Sequence, residues 1–325
     1  MKAAVLSAPN QVQLREVAAP TISQTGETIG DVEFVGVCKT DQQLTATGLE
    51  KELILGHEVV CRLPQESGHF ALNNEISCGR CSYCAEGLTS HCPNLHELGV
   101  NDNGGYAEKI RAPRQSFHPF SFCNPTLGVL IEPVSCAVRG AKRILAATKL
   151  LAVTHPTIVV IGGGISGALI SYLLTRSPEF KGEIYLYDIT PDPIPWANNL
   201  GIQRIGKVEP DQAHGIIECS GSPNGLAIAF QAVRKSGFVC IYGVPQPELA
   251  LPISAHELFM REIALITSFA GATEETMGAA IDYIRQDETF FEQSLGRSIS
   301  LEQLPTELTT WNPQPGTRTV VNLGL

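Results

Sequence analysis

Short apolar runs separated by Gly, Pro and Asn make up most of the first 135 residues. Examples are "KAAVL", "TIGDVEFVGVC", "HEVVCRL" and "GYAEKIRAP". Runs of this length with turn-forming residues between them are typical of β-strands. The pattern therefore predicts a β-rich N-terminal part that begins with a strand.

A different pattern starts near residue 140, where strand-like runs alternate with segments long enough for helices. The strand-like runs are "TIVVIG", "GEIYLYD", "GIIECSG", "GFVCIYGV" and "IALITSF". This alternation predicts βαβ units and a parallel sheet. Further on, "TEETMGAAIDYIRQ" predicts a helix, and "RTVVNL" lies near the C-terminus. The expected fold class is α/β.

One long apolar stretch, Leu150–Thr175, contains no Lys, Arg, Asp or Glu. A membrane-spanning helix would require this stretch to be continuous. Pro156, a β-branched run and three consecutive glycines instead divide it into a strand, a turn and a helix. We therefore expect no membrane partner. The N-terminus has no long apolar core and no small-residue cleavage site, so we expect a cytoplasmic protein without a signal peptide.

The charge balance argues against a nucleic-acid partner. The 325 residues include 23 basic and 33 acidic side chains, which gives a formal net charge of −10, and no run of Lys or Arg stands out. Proteins that bind nucleic acid usually carry a basic patch or stripe. Ten cysteines without a secretion signal indicate a reducing compartment, in which thiols are free or bound to metal.

Four of these cysteines are close together in "ISCGRCSYCAEGLTSHC", at Cys78, Cys81, Cys84 and Cys92. Cysteines two residues apart can direct both sulfurs at one ion, and a thiolate-rich site selects zinc or an iron–sulfur cluster. Ferredoxin-type clusters end on a three-residue spacing, which Cys92 does not have, and a reducing compartment disfavours disulfides. We predict a zinc ion held by four thiolates. Such a site has no open coordination position and is structural.

The segments "GVCKTD" and "GHE" indicate a second metal site. Cys38 and His57 supply a thiolate and an imidazole, and a carboxylate would complete a three-ligand site with one open position. Alone, a buried Cys or His is more often a packing residue. The carboxylate is Glu58 or Glu132, and Cys136 is a further candidate. If the chain is extended at His57 and Glu58, their side chains point in opposite directions, which favours Glu132 unless the chain turns just before His57.

The segment "IVVIGGGISGALISYLL" contains G-x-G-x-x-G at Gly162, Gly164 and Gly167, between a predicted strand and a predicted helix. These glycines permit a tight turn, close approach of a pyrophosphate, and close packing of the helix on the strand. Asp188 ends the next predicted strand. An acid there binds the ribose hydroxyls and repels a 2′-phosphate, so NAD is predicted rather than NADP. The predicted cofactor-binding set is these four residues with Ile165.

Taken together, these motifs resemble the zinc-containing medium-chain dehydrogenases, the superfamily of alcohol, polyol and threonine dehydrogenases. Matching segments occur in the family's order over nearly the whole chain. They are "GVCKTD", "GHE", "CGRCSYCAEGLTSHCPN", "LGVNDNGGYAE", "EPVSCAVRG", "VVIGGGISG", "YLYD", "ECSGSPNGL", "VRKSGFVCIYGV" and "REIALITSF". The segments "EPVSC" and "CSGSP" are most similar to the polyol, threonine and sugar dehydrogenase branch.

The resemblance implies two domains. A GroES-like, β-rich catalytic domain would comprise residues 1–137 and 272–325, and a Rossmann domain with a doubly wound parallel sheet would comprise residues 138–271. The resemblance also implies two Zn²⁺ ions per chain, one catalytic and one structural, and NAD as the cofactor. Members of the family are usually homodimers or homotetramers.

The resemblance also implies roles for the site residues. Cys38, His57 and Glu58 would surround the catalytic zinc, and Glu132 would be close enough to bind when the coordination changes. This differs from the strand-geometry argument about Glu58, so both glutamates remain candidates. Zinc stabilises the alkoxide form of a substrate alcohol, and Thr40 matches the Ser/Thr that accepts the alcohol proton. The hydride then passes from the carbinol carbon to the nicotinamide.

The chain departs from the family at three places. Gln43 stands where many members have a histidine that forwards the proton to solvent. The stretch between Glu58 and Cys78 is shorter than usual, which indicates a trimmed hairpin. Ala270 stands where polyol dehydrogenases often have a substrate-binding arginine. Simple sorbitol chemistry is therefore less favoured than a cyclitol, an amino alcohol or another secondary alcohol.

The predicted function is that of a zinc-dependent, NAD-linked dehydrogenase of a secondary alcohol. The alternative is a non-catalytic sensor or structural protein that binds NAD and zinc, which the missing histidine motivates. A zinc-free reductase of the same superfamily would lack the metal ligands and have a basic residue near Asp188, and the sequence shows neither feature. A short-chain dehydrogenase would need a Tyr-x-x-x-Lys pair, which does not occur.

Overall fold

The computed structural model describes residues 1–192, 194–310 and 312–324. Among these residues, no helix is long and apolar enough to cross a membrane. The long apolar stretch forms a strand, a turn and a helix, because its proline and glycines interrupt it where the sequence predicts.

The N-terminal part of the chain is β-rich, and most of its strands are short. These strands are β1 (Lys2–Ala8), β2 (Gln11–Glu16), β3 (Glu27–Gly36), β4 (Leu53–Ile54), β5 (Glu58–Arg62), β6 (His69–Leu72), β7 (Glu75–Ile76), β8 (His96–Glu97), β9 (Lys109–Pro113) and β10 (Phe117–Phe120). The helices in this part are α1 (Lys39–Thr47) and α2 (Ser82–Ala85), and 3-10 turns cover Thr89–His91, Arg114–Ser116 and Pro125–Leu130.

Helices and strands alternate in the middle of the chain. The elements are α3 (Ile131–Thr148), β11 (Thr157–Ile161), α4 (Ile165–Arg176), β12 (Glu183–Tyr187), α5 (Pro195–Asn199), β13 (Gln203–Ile205), β14 (Ala213–Glu218), α6 (Pro223–Ala232), β15 (Val233–Ile241), α7 (Ala255–Arg261) and β16 (Ala264–Thr267). The last elements are α8 (Glu274–Gln286), α9 (Glu288–Glu292), β17 (Leu295–Ser300), α10 (Leu304–Thr310) and β18 (Arg318–Asn322).

One compact unit consists of Met1–Ser135 and Gly271–Leu325. Its larger sheet has the strand order β10-β6-β5-β3-β18-β17, with β9 also paired to β3, and its smaller sheets are β2-β1-β4 and β7-β8. Apolar side chains of β1, β3, β5 and β9 share its core. Antiparallel pairing sets Val320 of β18 opposite Gly36 of β3. The C-terminal strand therefore lies beside the strand that leads to Cys38.

The other compact unit is Cys136–Ala270. In the described residues, its sheet has the order β13-β12-β11-β14-β15-β16, and every neighbouring pair is parallel. This is the doubly wound order, in which the two halves of the sheet meet between β11 and β14. Most of β11 is buried, as expected for a strand covered on both faces. The predicted α/β class with a doubly wound parallel sheet is confirmed.

Candidate functional site

Cys78, Cys81, Cys84 and Cys92 lie together around α2. Any two of their Sγ atoms are within 4.8 Å of each other, and those of Cys81 and Cys84 are 3.4 Å apart. The Sγ atoms of a disulfide are about 2.0 Å apart, and none of the ten cysteines, all of which the structure describes, is in a disulfide. Four thiols at this separation match a tetrahedral metal site that protein ligands close completely.

The electrostatics of this cluster favour a thiolate. The backbone N–H of Arg80 is the main cause that lowers the pKa of Cys78 to about 6. The backbone N–H of Cys84 lowers the pKa of Cys81, but burial and hydrogen bonds to three neighbouring thiols outweigh it and raise that pKa to about 11. One member of the cluster therefore ionises easily, and the thiolate is the form that binds zinc. The donor set fits a structural zinc.

Cys38, His57 and Glu58 come together at a second place in the same unit. One donor atom from each residue lies within 4.8 Å of the others. Cys38 follows β3 and caps α1, while Glu58 begins β5 directly opposite Gly36 of β3. A Cβ at position 36 would collide with the Glu58 carboxylate. The glycine therefore leaves the space that this carboxylate occupies.

The strand-geometry argument for Glu132 over Glu58 holds only if the chain is extended here, and the structure shows the exception, a turn at Gly56. The φ angle of Gly56 is 92°, so the chain turns there, and His57 lies before the start of β5. His57 and Glu58 therefore do not alternate across an extended strand, and both side chains reach the same point. Glu132, in the first turn of α3, and Cys136 are not members of this group of three.

Asp41 is fully buried and holds the two segments of the group together. Its Oδ2 atom accepts hydrogen bonds from the backbone N–H of Cys38 at 2.8 Å and from the hydroxyl of Tyr106 at 2.9 Å. Its Oδ1 atom accepts the backbone N–H of Gly56 at 3.2 Å and lies 3.4 Å from Nδ1 of His57. A carboxylate beside one ring nitrogen orients the imidazole and leaves the other nitrogen for a metal. Asp41 is not among the predicted site residues, although it ends the segment "GVCKTD".

Arg318, the first residue of β18, is a buried cation beside Glu58. Its Nη2 atom is 2.8 Å from Oε1 of Glu58, and its Nη1 atom donates to the carbonyl oxygen of Val37 at 3.1 Å. Burial is the largest cause that raises the pKa of Glu58, Arg318 opposes it, and the charge of Glu132 adds to the rise. Arg318 is not a predicted site residue either. Its signal in the sequence is a single Arg at the start of the apolar segment "RTVVNL".

The polar atoms of this group fit a divalent cation. The Oε2 atom of Glu58 is buried and has no hydrogen-bond partner among the described residues, which costs about 1–3 kcal/mol or more for a charged group. Burial raises the pKa of the Cys38 thiol, but Arg318 and His57 lower it to about 7. The thiolate is therefore accessible near neutral pH. One thiolate, one imidazole and one carboxylate form the donor set of a zinc site with an open position.

Thr40 and Gln43 lie on α1, which starts directly after Cys38. The Sγ atom of Cys38 donates a weak hydrogen bond to Oγ1 of Thr40 at 3.7 Å, so this hydroxyl lies beside the group of three. Gln43 is half-buried and stands one turn further along the helix. Ala270, at the position of the missing arginine, has a left-handed φ of 50°.

In the parallel-sheet unit, the glycine-rich segment joins β11 to α4. The φ angle of Gly162 is 103°, which permits the tight turn after β11. A Cβ at Gly167 would collide with the carbonyl oxygen of Gly162. Gly164 precedes Ile165, the first residue of α4, and a Cβ at Gly164 would meet no atom within 4 Å. Open space at a helix N-terminus without a side-chain cap fits a pyrophosphate.

Asp188 follows β12 and is held against the glycine-rich segment. Its Oδ2 atom accepts the backbone N–H of Gly163 at 2.5 Å, and its Oδ1 atom accepts that of Thr190 at 2.7 Å. On the other side, Nε1 of Trp196 donates to the carbonyl oxygen of Gly163 at 3.0 Å. A carboxylate held at the end of the second strand of a doubly wound sheet is placed for the hydroxyls of a ribose.

A basic residue, Arg204, lies near Asp188 in the structure, although the stretch of sequence between the two has none. Arg204 of β13 donates to the backbone carbonyl oxygens of Asp188 at 3.2 Å, of Asp192 at 2.8 Å, and of Thr190. Strand β13 pairs with β12. This pairing places Arg204 of β13 beside the loop that follows β12, although the two are separated in the sequence. These bonds hold its guanidinium against main-chain oxygens. The prediction of NAD therefore depends on the Asp188 carboxylate.

Comparison with known proteins agrees with these features. Residues 24–121 match the family model of the alcohol dehydrogenase GroES-like domain. An uncharacterized zinc-type alcohol dehydrogenase-like protein of Haemophilus influenzae is 25% identical over 97% of this chain and 96% of its own. Sorbitol dehydrogenase of Bacillus subtilis is 27% identical over 78% of each chain. A solved structure of Haloferax mediterranei glucose dehydrogenase, in complex with NADP, Zn and gluconolactone, is 21% identical with a TM-score of 0.82 over 100% of both chains.

These matches cover both parts of the molecule. The GroES-like match runs from β3 to β10 and contains both groups of candidate metal ligands. The full-length relative extends the similarity through the doubly wound sheet. The solved structure agrees with the fold of the whole chain. Sequence and fold together therefore agree with the resemblance to the zinc-containing medium-chain dehydrogenases, a superfamily of oxidoreductases.

Proposed function

We propose that this protein is a zinc-dependent dehydrogenase that transfers a hydride between a secondary alcohol and NAD. The observation that carries the proposal is the group of the half-buried Cys38 with the buried His57 and Glu58, in which one carboxylate oxygen has no hydrogen-bond partner among the described residues. The similarity to a sorbitol dehydrogenase supports a polyol-type alcohol, and the proposed class of substrate comprises polyols, cyclitols, sugars and amino alcohols.

In this proposal, Cys38, His57 and Glu58 hold the catalytic zinc. When bound there, zinc supplies Lewis-acid stabilisation of the alkoxide form of the substrate. Thr40 accepts the proton of the substrate hydroxyl while its own hydroxyl proton passes to water, a relay role that the position of this hydroxyl beside Cys38 supports. Glu132, in the first turn of α3, would be the further ligand if the coordination changed, as the family resemblance implies.

The four-cysteine cluster holds the second, structural zinc. Four thiolates occupy all positions of a tetrahedral ion, so no substrate can bind there. The backbone N–H of Cys78 donates to Sγ of Cys92 at 3.4 Å, which draws the two ends of the loop together. The proposed role is to fix this loop between β7 and β8.

The parallel-sheet unit binds NAD in this proposal. Gly162, Gly164, Ile165 and Gly167 receive the pyrophosphate at the N-terminus of α4. Asp188 accepts hydrogen bonds from the ribose hydroxyls and disfavours a 2′-phosphate. Because a structural neighbour contains NADP, the choice between NAD and NADP is part of the experiment below.

We also propose that the chain forms a homodimer or homotetramer. Strand β16 is an edge strand of the doubly wound sheet. Helix α7, directly before it, exposes Phe259 at 78% and Met260 at 61%. Exposed apolar side chains next to an unpaired strand edge are typical of an interface. The mass of the protein in solution tests this: a monomer at micromolar concentration would contradict it.

The test of the proposed function is NADH formation from NAD with a panel of polyols, inositols, amino alcohols and threonine. Zinc content is measured before and after treatment with a chelator, and NADP replaces NAD in a parallel series. We expect turnover on one class of alcohol, its loss on removal of zinc, its recovery on return of Zn²⁺, and lower rates with NADP. Turnover that persists after all zinc is removed would contradict the proposal.

A second outcome would support the alternative function. Binding of NAD by a protein that retains two zinc ions, without turnover on any alcohol, would favour a non-catalytic sensor or structural protein. This alternative is motivated by Gln43, which stands in place of a histidine. An amide side chain does not titrate, so it cannot pass a proton to solvent as a histidine does.

A further inference from the structure

The loop after β8 packs directly on the backbone of the candidate metal site. A Cβ at Gly99 would lie 2.9 Å from the backbone nitrogen of His57 and would collide with the carbonyl group of Gly56. The backbone N–H of Gly105 donates to that same carbonyl oxygen at 2.8 Å. Glu97, the last residue of β8, is therefore two residues from a point of backbone contact with His57.

Glu97 and Glu75 are directly opposite each other in the ribbon of β7 and β8. Residues paired in this way project on the same face with Cβ atoms about 4.5–5.5 Å apart, and like charges in this position destabilise the pair. Glu75 is 7% exposed and Glu97 is half-buried. Solvent therefore screens the repulsion between the two carboxylates only in part.

The two oxygens of Glu75 have different surroundings. Its Oε1 atom accepts the backbone N–H groups of Gly271 at 3.0 Å and of Ala272 at 3.2 Å. Its Oε2 atom is buried and has no hydrogen-bond partner in the described part of the chain. An unpaired oxygen on a buried carboxylate costs free energy that a hydrogen-bond donor would recover. Glu97 lies across the ribbon from Glu75, so its carboxylate is a second hydrogen-bond acceptor on the same face as Oε2 of Glu75.

The charges that act on Glu97 connect this pair with the metal site. Burial is the largest cause that raises the pKa of Glu97, the charge of Glu75 adds to the rise, His57 opposes it, and Glu132 adds to it again. The Glu97 carboxyl therefore lies opposite Glu75 in the ribbon and is within the electrostatic influence of His57 in the candidate catalytic site.

We infer that Glu75 and Glu97 form a recognition site for a cationic group of the substrate, so that the alcohol carries an ammonium group close to its reacting hydroxyl. The inference deepens the proposed function and rests on it. An ammonium group has three donors and no acceptor. It would satisfy Oε2 of Glu75, bind Glu97 by a charge-assisted hydrogen bond, and remove the repulsion between the two carboxylates. The extra hydroxyl of a neutral diol would leave both charges uncompensated.

The test uses 1-amino-2-propanol and 1,2-propanediol, which have the same carbon skeleton and the same secondary hydroxyl. The zinc-loaded full-length protein is compared with its Glu97→Gln variant, and kcat/KM is measured for both compounds with NAD at neutral pH. We expect the wild type to prefer the amino alcohol. We expect Glu97→Gln to lower kcat/KM for the amino alcohol by about 10- to 100-fold, with the diol changed by less than about twofold.

Two controls separate recognition from a structural role. Glu50→Gln removes a negative charge from an exposed position of the same unit and should leave both values unchanged. Zinc content and the thermal midpoint of Glu97→Gln should not fall, because the change removes a like charge from the pair. An equal loss of kcat/KM for both compounds, or a wild type that prefers the diol, would overturn the inference.

Calorimetric binding of the same two compounds to the zinc- and NADH-loaded protein gives a readout that does not need turnover. We expect tighter binding of the amino alcohol, and loss of that preference in Glu97→Gln. Equal binding of the two compounds would overturn the inference even if the protein oxidises alcohols. Selective binding of the amino alcohol without oxidation of any alcohol would overturn the proposed function instead.

Discussion

The two cysteine-containing sites are built in opposite ways. The four-cysteine cluster takes all its ligands from one short loop, and three of its four cysteines are half-buried residues. The group of Cys38, His57 and Glu58 takes its ligands from two segments, and Asp41 and Arg318 support it from within the core. The first site has a donor for every coordination position. The second has three donors, and one buried carboxylate oxygen of Glu58 has no hydrogen-bond partner in the described part of the chain.

This difference explains which site can react. A site closed by four thiolates stabilises a loop but excludes substrate. A buried site with three ligands has a free position, and the low dielectric around it strengthens every charge that acts there. Such a site requires the whole fold, because the carboxylate of Glu58 is tolerated only beside the buried guanidinium of Arg318. We therefore expect substitutions at the two sites to separate turnover from stability.

The largest expected effect on turnover is that of Cys38→Ser. A serine oxygen is a poorer ligand for zinc than a thiolate, so the catalytic metal should be lost while the structural one stays. We expect kcat to fall at least about 10³-fold, since Lewis-acid stabilisation contributes several kcal/mol. Metal analysis should find one zinc per chain. Cys123→Ser, at an exposed cysteine, is the matched control. Undiminished turnover in Cys38→Ser would remove the group of three from its proposed role.

The two sites also differ in how far the sequence predicts them. The spacing of Cys78, Cys81, Cys84 and Cys92 is local, so it predicts a cluster that the structure assembles from one loop. The choice between Glu58 and Glu132 is not local, because it depends on a backbone turn at Gly56. Periodicity describes strands and cannot show where a chain turns immediately before one.

Sequence motifs do not predict contacts between side chains on strands that are far apart in the sequence. Arg318 reaches the carbonyl oxygen of Val37 across 281 residues of chain because β18 pairs with β3. Arg204 similarly reaches the loop after Asp188 through the pairing of β13 with β12. The alternation of strands and helices was sufficient to predict a parallel sheet, since each βαβ unit is a local pattern. Which charged side chains meet depends on the order of strands, which that pattern leaves open.

A smaller effect on turnover is expected from Asp41→Asn. The amide has the shape of the carboxylate but lacks its charge and one acceptor, so the contacts with Cys38, Tyr106, Gly56 and His57 cannot all be kept. Changes at groups that orient metal ligands typically cost 10–100-fold in metal affinity or activity. We expect a loss of about that size in kcat and in the affinity for zinc, measured by competition with a chelator.

The control for Asp41→Asn is Asp31→Asn, which breaks a half-exposed ion pair with Lys109 on the same sheet. Exposed pairs contribute about 0–1 kcal/mol, so this variant should keep the wild-type kcat and zinc affinity. Equal behaviour of the two variants would show that Asp41 does not support the catalytic group.

The smallest effect on turnover is expected from Cys84→Ser, although its effect on stability should be large. Loss of one thiolate weakens the structural zinc, and the folding energy that this ion supplies is lost with it. We expect one zinc per chain, a lower midpoint of thermal unfolding, and a kcat within about twofold of wild type at temperatures where the protein is folded. Because β7 precedes the cysteine loop and β8 follows it, a loosened loop would disturb Glu75 and Glu97 before it disturbs Cys38. The variant should therefore raise KM for an amino alcohol more than it lowers kcat. If kcat fell as much in Cys84→Ser as in Cys38→Ser, the four-cysteine cluster would not be purely structural. The proposed separation of a structural site from a catalytic site would then be wrong.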